Sequence, residues 1–225
     1  MMIASNPSAT SDNINEQHLS STRSSLIKLT AINTRTTIMS TISRELPMPN
    51  VAHITNLNQA HATLLHCCNK LARFAQESQR SGNSDTPIDA GAEERRQFQQ
   101  WLERWEKAFT EFLASTMASM GSEDLSQSRI LKANHLACNV VASEAGSGTS
   151  GLDAFELEFQ AITELASAVL QNRQGPSSPQ SAVSSPSVSP TMGGLDVREP
   201  LYIVLAHCSN LPLRNRACEL LLRFY

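Results

Sequence analysis

The chain has 225 residues, 40% of them apolar and 17% charged, with a formal net charge of -3. That balance shows neither the basic excess that draws a protein onto nucleic acid nor an acidic tail. The longest apolar runs, such as 201–206, fall far short of the roughly 20 residues that span a bilayer.

Residues 1–50 are rich in Ser, Thr and Asn, end at Pro47-Met48-Pro49, and read as a mostly disordered tail. Leu26, Ile27, Leu29 and Ile32 offer one short helix or strand within it. Met1-Met2-Ile3 turns polar at once, so no secretory signal is visible. Arg23, Lys28, Arg35 and Arg44 among Ser and Thr are faintly like a mitochondrial presequence. They start late, and the stretch reads as a polar tail.

Residues 56–79 carry the first helical pattern. Asn56 is placed to cap it, with Gln59 three later as in a capping box, and Leu57, Ala60, Leu64, Cys68, Leu71 and Ala75 recur at helical spacing. The run Ser81–Pro87 breaks it. A second, longer helix is predicted over 91–119, with the stripe Phe98, Trp101, Trp105, Ala108 or Phe109, and Phe112, widened by Leu102, Leu113 and Met117. Gly121 ends it, and Ser122 is read as the cap of a third helix over about 123–142. Asp153 is read as the cap of a fourth over 154–172, with Phe155, Phe159, Ile162, Ala166 and Val169 on one face.

Residues 173–197, full of Ser, Pro and Gly, are expected to form a linker that buries nothing. Pro200 suits a helix start. Leu201, Val204, Leu205 and Cys208 then form one short stripe. After Asn210 and Pro212, Leu213, Ala217, Leu220, Leu221 and Phe224 form another. So short a connection makes the last two helices an antiparallel pair. Their stripe is expected to dock on the 91–119 helix or on another chain, and the last helix is read as still running at Tyr225.

The fold class is therefore all-α: an irregular bundle of helical hairpins. It is laid out as a tail over 1–50, a bundle over 51–172, a linker over 173–197 and a hairpin over 198–225. About 150 residues remain to fold, the size of one domain. The expected core is Leu64, Leu71, Phe98, Trp101, Trp105, Phe112, Phe159, Ile162, Val204 and Leu220.

Chemistry is sparse. His66, Cys67 and Cys68 are consecutive, so on a helix they point about 100° apart and cannot all face one ion. His135 and Cys138 are three apart and can share one, as can His207 with a residue from elsewhere. Two ligands make no site, and the paired cysteines of structural zinc are absent. No nucleophile elbow or phosphate-cradling Gly loop is present, and no carboxylate pair stands out as an acid–base couple. Catalytic residues, metal, cofactor and direct sequence-specific DNA binding are all expected to be absent, and the chain is read as not an enzyme. Arg95-Arg96 is offset by Glu93-Glu94, and Arg214, Arg216 and Arg223 form a small basic group at the end. The five cysteines are odd in number, without a framework, and most sit at apolar helical positions, which points to a reducing compartment. Ser178, Ser185 and Ser189 each precede proline in the linker and are candidate sites for a proline-directed kinase.

The organisation of 48–225 resembles the regulatory region of fungal binuclear zinc cluster transcription regulators, of the aspercryptin-cluster type. The blocks that carry the resemblance are Ile54–Ala60 with Leu64-Leu65 and Leu71–Phe74; Trp101, Trp105, Phe109 and Phe112; Phe159–Leu170; and above all Arg198–Cys208 followed by Leu213–Leu221. The six-cysteine basic module of that family has no counterpart here, so the chain reads as part of such a regulator without its DNA-binding end. The resemblance implies transcription regulation in the nucleus through a protein partner or the missing part of the same regulator, with no membrane role. The other reading, from a different class, is a general helical adaptor without a transcriptional role, nuclear or cytoplasmic.

Overall fold

The computed structural model describes residues 47–80, 88–144, 154–173 and 194–224. Among these described residues six α-helices follow one another: α1 (Leu57–Arg80), α2 (Ile88–Thr116), α3 (Ser122–Glu144), α4 (Glu156–Arg173), α5 (Arg198–His207) and α6 (Leu211–Leu222). A single 3-10 turn, Met117–Ser119, separates α2 from α3, and no strand occurs among the described residues. The fold is all-α. No helix among the described residues is long and apolar enough to cross a membrane.

The helix ends follow local chemistry. Asn56 Oδ1 accepts the Gln59 amide at 2.9 Å, while Gln59 Oε1 reaches back to the amide of Thr55. This is a capping box whose return bond lands one residue early. Asn210 caps α6 in the same way, its Oδ1 accepting from the Leu213 amide, with Pro212 in the first turn where it costs no hydrogen bond. The helix over 122–144 starts at Ser122 itself, with the Gly121 carbonyl accepting the Leu125 amide. The proposed cap Asp153 lies outside the described residues.

Helix α3 is the hub. It packs on α1, α2, α4 and α5, while α6 packs on α4 and α5. A helix surrounded this way cannot keep a single apolar stripe. Its buried residues accordingly go round it, and small ones (Ala133, Ala137, Cys138, Ala142) allow close neighbours. The outer helices keep true stripes: Ala60, Leu64, Cys67, Leu71 and Phe74 on α1, and Phe98, Trp101, Leu102, Trp105, Ala108, Phe109 and Phe112 on α2. All ten residues named as core from the sequence are buried.

Several sequence expectations are corrected. On α1 the buried positions are Cys67 and Phe74, not their neighbours Cys68 and Ala75, which are half-buried. Met117 does not widen the α2 stripe; it sits in the 3-10 turn beyond the helix and is exposed. The tail does not extend to residue 50, because Met48 packs on the core and the Pro49 carbonyl accepts a hydrogen bond from Trp101 Nε1 at 2.8 Å. Nor does the linker run to residue 197. Leu195 and Val197 are buried, and Gly194, at φ +123°, lies where an added Cβ would stand 3.1 Å from the Leu65 side chain. The buried Asn134 holds this strap, its Nδ2 donating to the carbonyls of Ile130 at 2.9 Å and Asp196 at 3.0 Å. Finally, the C-terminal hairpin docks on α4 and α3, not on the 91–119 helix. The last helix also stops short of Tyr225: Arg223 and Phe224 fold back onto the carbonyls of Leu220 and Leu221.

Candidate functional site

Two groups of chemically capable side chains come together inside the bundle. The first lies between α2 and α3. Stripe geometry sends Trp105 inward, where its ring stacks on Phe109 at 4.6 Å and on the His135 imidazole at 5.2 Å and 18°. Its Nε1 donates to Thr63 Oγ1 at 3.1 Å, which satisfies the indole's one polar atom. His135 is fully buried. Its Nε2 lies 3.0 Å from the Leu102 carbonyl, which can only accept, so the proton sits on Nε2 and Nδ1 is bare. Nδ1 faces Glu106 Oε2 at 3.7 Å, too far for a hydrogen bond. Burial lowers the imidazole's pKa to about 4 against the pull of Glu106, so at neutral pH this contact is not an ion pair. Glu106 instead pairs with Lys132. Burial alone would raise its carboxyl, and the Lys132 hydrogen bond with the charges of His135 and Lys132 reverses that, holding it below the usual range.

The second group lies between α1 and α3. Cys68 Sγ and Cys138 Sγ are 3.1 Å apart. Cys138 is buried, and its thiol is pushed well up by the hydrogen bond with Cys68 and then by burial. Burial likewise pushes the Cys67 thiol up. All five cysteines are free thiols, and Cys218 is exposed.

These arrangements decide the sequence candidates. His135 and Cys138, three apart on one helix, turn to different partners, a carbonyl of α2 and a sulfur of α1. Among the described residues no three His, Cys, Asp or Glu side chains gather where they could hold a metal ion. The first group anchors α3 to α2 and the second sets α1 against it. The basic residues near the end are partly engaged, with Arg216 bonded to Glu219 and to Ser167. Ser178, Ser185 and Ser189 lie outside the described residues. The linear sequence did not pair Cys68 with Cys138, nor Thr63 with Trp105; both are contacts between helices. Asn134 did leave a trace, as an amide within the apolar-rich third helix.

On the surface, Leu157, Leu211 and Leu222 are 77%, 59% and 70% exposed. Glu156 Oε1 accepts a hydrogen bond from Asn210 Nδ2, so Leu157 and Leu211, the next residues along, occupy one end of the α4–α6 pair. Leu222 lies at the other end of α6, two residues before Phe224, whose ring the Arg173 guanidinium covers at 5.7 Å.

No family model, no curated protein and no solved structure matches the chain.

Proposed function

We propose that the chain is a helical interaction scaffold of the fungal transcription-regulator type, acting in the nucleus through a protein partner and leaving DNA recognition to another module. The observation that carries this reading is the exposure of Leu157, Leu211 and Leu222 around the α5–α6 hairpin. Scattered single leucines are ordinary on a surface. Leu157 and Leu211, however, each follow a residue of the Asn210–Glu156 hydrogen bond, so they stand exposed at one end of α4 and α6, beside the hairpin that carries the strongest resemblance block. The side chains between α2 and α3 support the same reading from the other side: buried Trp105 and His135 and the half-buried Glu106–Lys132 pair are spent on holding helices together.

The test is a tethering experiment. The full chain is fused to an unrelated DNA-binding domain and assayed on a reporter. The expected outcome is a change in reporter output that is lost in the double variant Leu157→Glu, Leu211→Glu while the urea midpoint of that variant stays at the wild-type value. No reporter change from a folded fusion would favour a general adaptor without a transcriptional role. A site-specific gel shift by the untethered chain at moderate salt would contradict the division of labour proposed here.

A further inference from the structure

We propose that Cys68 and Cys138 are a dithiol oxidation site, which takes a peroxide or a small disulfide as its two-electron oxidant and closes into a covalent bond between α1 and α3. The inference is independent of the function proposed above.

The geometry carries it. The two sulfurs face each other across a helix–helix contact at 3.1 Å, closer than unbonded sulfurs ordinarily sit, and a bond requires them to approach by only about 1 Å more. The pair is asymmetric. Cys68 is half-buried and within reach of a small oxidant, while Cys138 is buried behind it. That is the order a two-step oxidation needs: an accessible sulfur to react first and a protected one to resolve. Cys67 does not compete, because it is one residue along α1, about 100° round the helix, and buried in the core. Cys208 lies on the hairpin, where its sulfur is 3.7 Å from the Asn210 carbonyl, and Cys218 is on the exposed side of α6.

The chemistry balances. With a small disulfide, the Cys68 sulfur attacks one sulfur of the reagent, the reagent's sulfur–sulfur bond breaks, and one reagent thiol leaves with the Cys68 proton. The Cys138 sulfur then attacks Cys68, and the second reagent thiol leaves with the Cys138 proton. Both cysteines are oxidised and the reagent is reduced to two thiols. With a peroxide, the Cys68 sulfur attacks one oxygen, the oxygen–oxygen bond breaks, and an alcohol (water from hydrogen peroxide) leaves with the Cys68 proton; the Cys138 sulfur then attacks the Cys68 sulfenic acid, whose hydroxyl leaves as water with the Cys138 proton. Cys138's thiol is held protonated by its sulfur neighbour and by burial, so it keeps its proton through the first step and gives it up in the second.

The experiment treats the reduced full-length chain with oxidised glutathione and maps its peptides without reduction. The expected product is monomeric, lighter by two hydrogens, with a Cys68–Cys138 cross-linked peptide. Its urea midpoint is higher than that of the reduced chain, and dithiothreitol reverses both changes. In Cys138→Ala the reaction should halt with glutathione on Cys68, and in Cys68→Ala both the cross-link and the midpoint shift should vanish. The proposal is overturned if the wild-type chain keeps glutathione on Cys68 or joins Cys67 to Cys68. It is equally overturned if the chain forms only dimers through Cys218 or remains fully reduced. The wild-type peptide map decides the matter even if a variant fails to fold.

Discussion

The two halves of the bundle are held by different means. Around α1, α2 and α3 the core is aromatic, and polar atoms run through it: Trp101 donates to Pro49, Trp105 to Thr63, and His135 to Leu102. Each of these bonds fixes a rotation and a height, so the helices there have one register. Around α4, α5 and α6 the buried side chains are chiefly aliphatic: Ile162, Val169 and Leu170 against Leu201, Val204, Leu220 and Leu221, with Phe159 the one buried aromatic. Polar contacts there lie on the rim, as between Asn210 and Glu156 or Arg216 and Ser167. Burial area drives both halves, and the first adds directional bonds that cross between helices inside the core. Directional bonds specify geometry, whereas aliphatic packing tolerates small shifts. The second half is therefore the better place for a surface that adjusts to a partner.

The contrast can be broken most severely at Leu220. Its side chain is fully buried where α6 docks on α4. Leu220→Asp removes that packing and places a carboxylate in an apolar contact, so a loss of about 4 kcal/mol or more is expected in urea denaturation. An unchanged midpoint would mean that the hairpin is not part of the cooperative unit.

Acid should act on the first half more than on the second. His135 titrates at an ordinary 6.5 in the unfolded chain and at about 4 in the fold. The unfolded state therefore takes up the proton first. The stability this group contributes is whole above pH 6.5 and is lost as the pH falls from 6.5 to 4, on the order of 3 kcal/mol in total. Glu106, held below its usual range in the fold, adds to the loss at the acid end of the same titration. Urea midpoints measured across this window should fall in the wild type, and the slope should flatten in His135→Phe, which keeps an aromatic ring on Trp105. Parallel slopes in the two proteins would remove His135 from the account.

A smaller effect sharpens the comparison at the seam between the halves. Asn134→Ala leaves the Asp196 carbonyl without its donor and loosens the strap that leads into α5, at an expected cost of about 1–3 kcal/mol. Amide exchange in the variant should quicken at 195–201 before it quickens in α2.

How much of this was legible in the residues follows the same division. Helices announce themselves when one face is wet, so the stripes of α1 and α2 were readable from spacing. Helix α3, covered on most sides, was read from its start after Gly121 and from Leu125, Ile130, Leu131, Ala137, Cys138 and Val141, of which Leu125 and Val141 are only half-buried. Composition misled at Gly194–Val197, where a Ser/Pro/Gly run passes into buried Leu195 and Val197 without any change of local pattern. A one-residue error on α1, Cys68 for Cys67, has the same origin: spacing fixes a face to within about 100°, and only the neighbouring helices choose within it. The docking of the hairpin on α4, and the meeting of Cys68 with Cys138, depend on contacts 49 and 70 residues apart in the chain. No local window contains them.

The chain has two tryptophans, and both indoles are buried. Only Trp105 lies flat against a titrating ring, while Trp101 points its nitrogen at the backbone of Pro49. An imidazolium in such a stack draws on the excited indole, so emission from Trp105 should dim when His135 gains its proton, and emission from Trp101 should not. A Trp101→Phe protein would then carry one lamp, beside the buried histidine whose protonation is expected to weaken the fold in acid. Its brightness would follow protonation inside the fold, and its colour would follow exposure to water on unfolding. Two events that a midpoint measurement merges would be separated in a single cuvette.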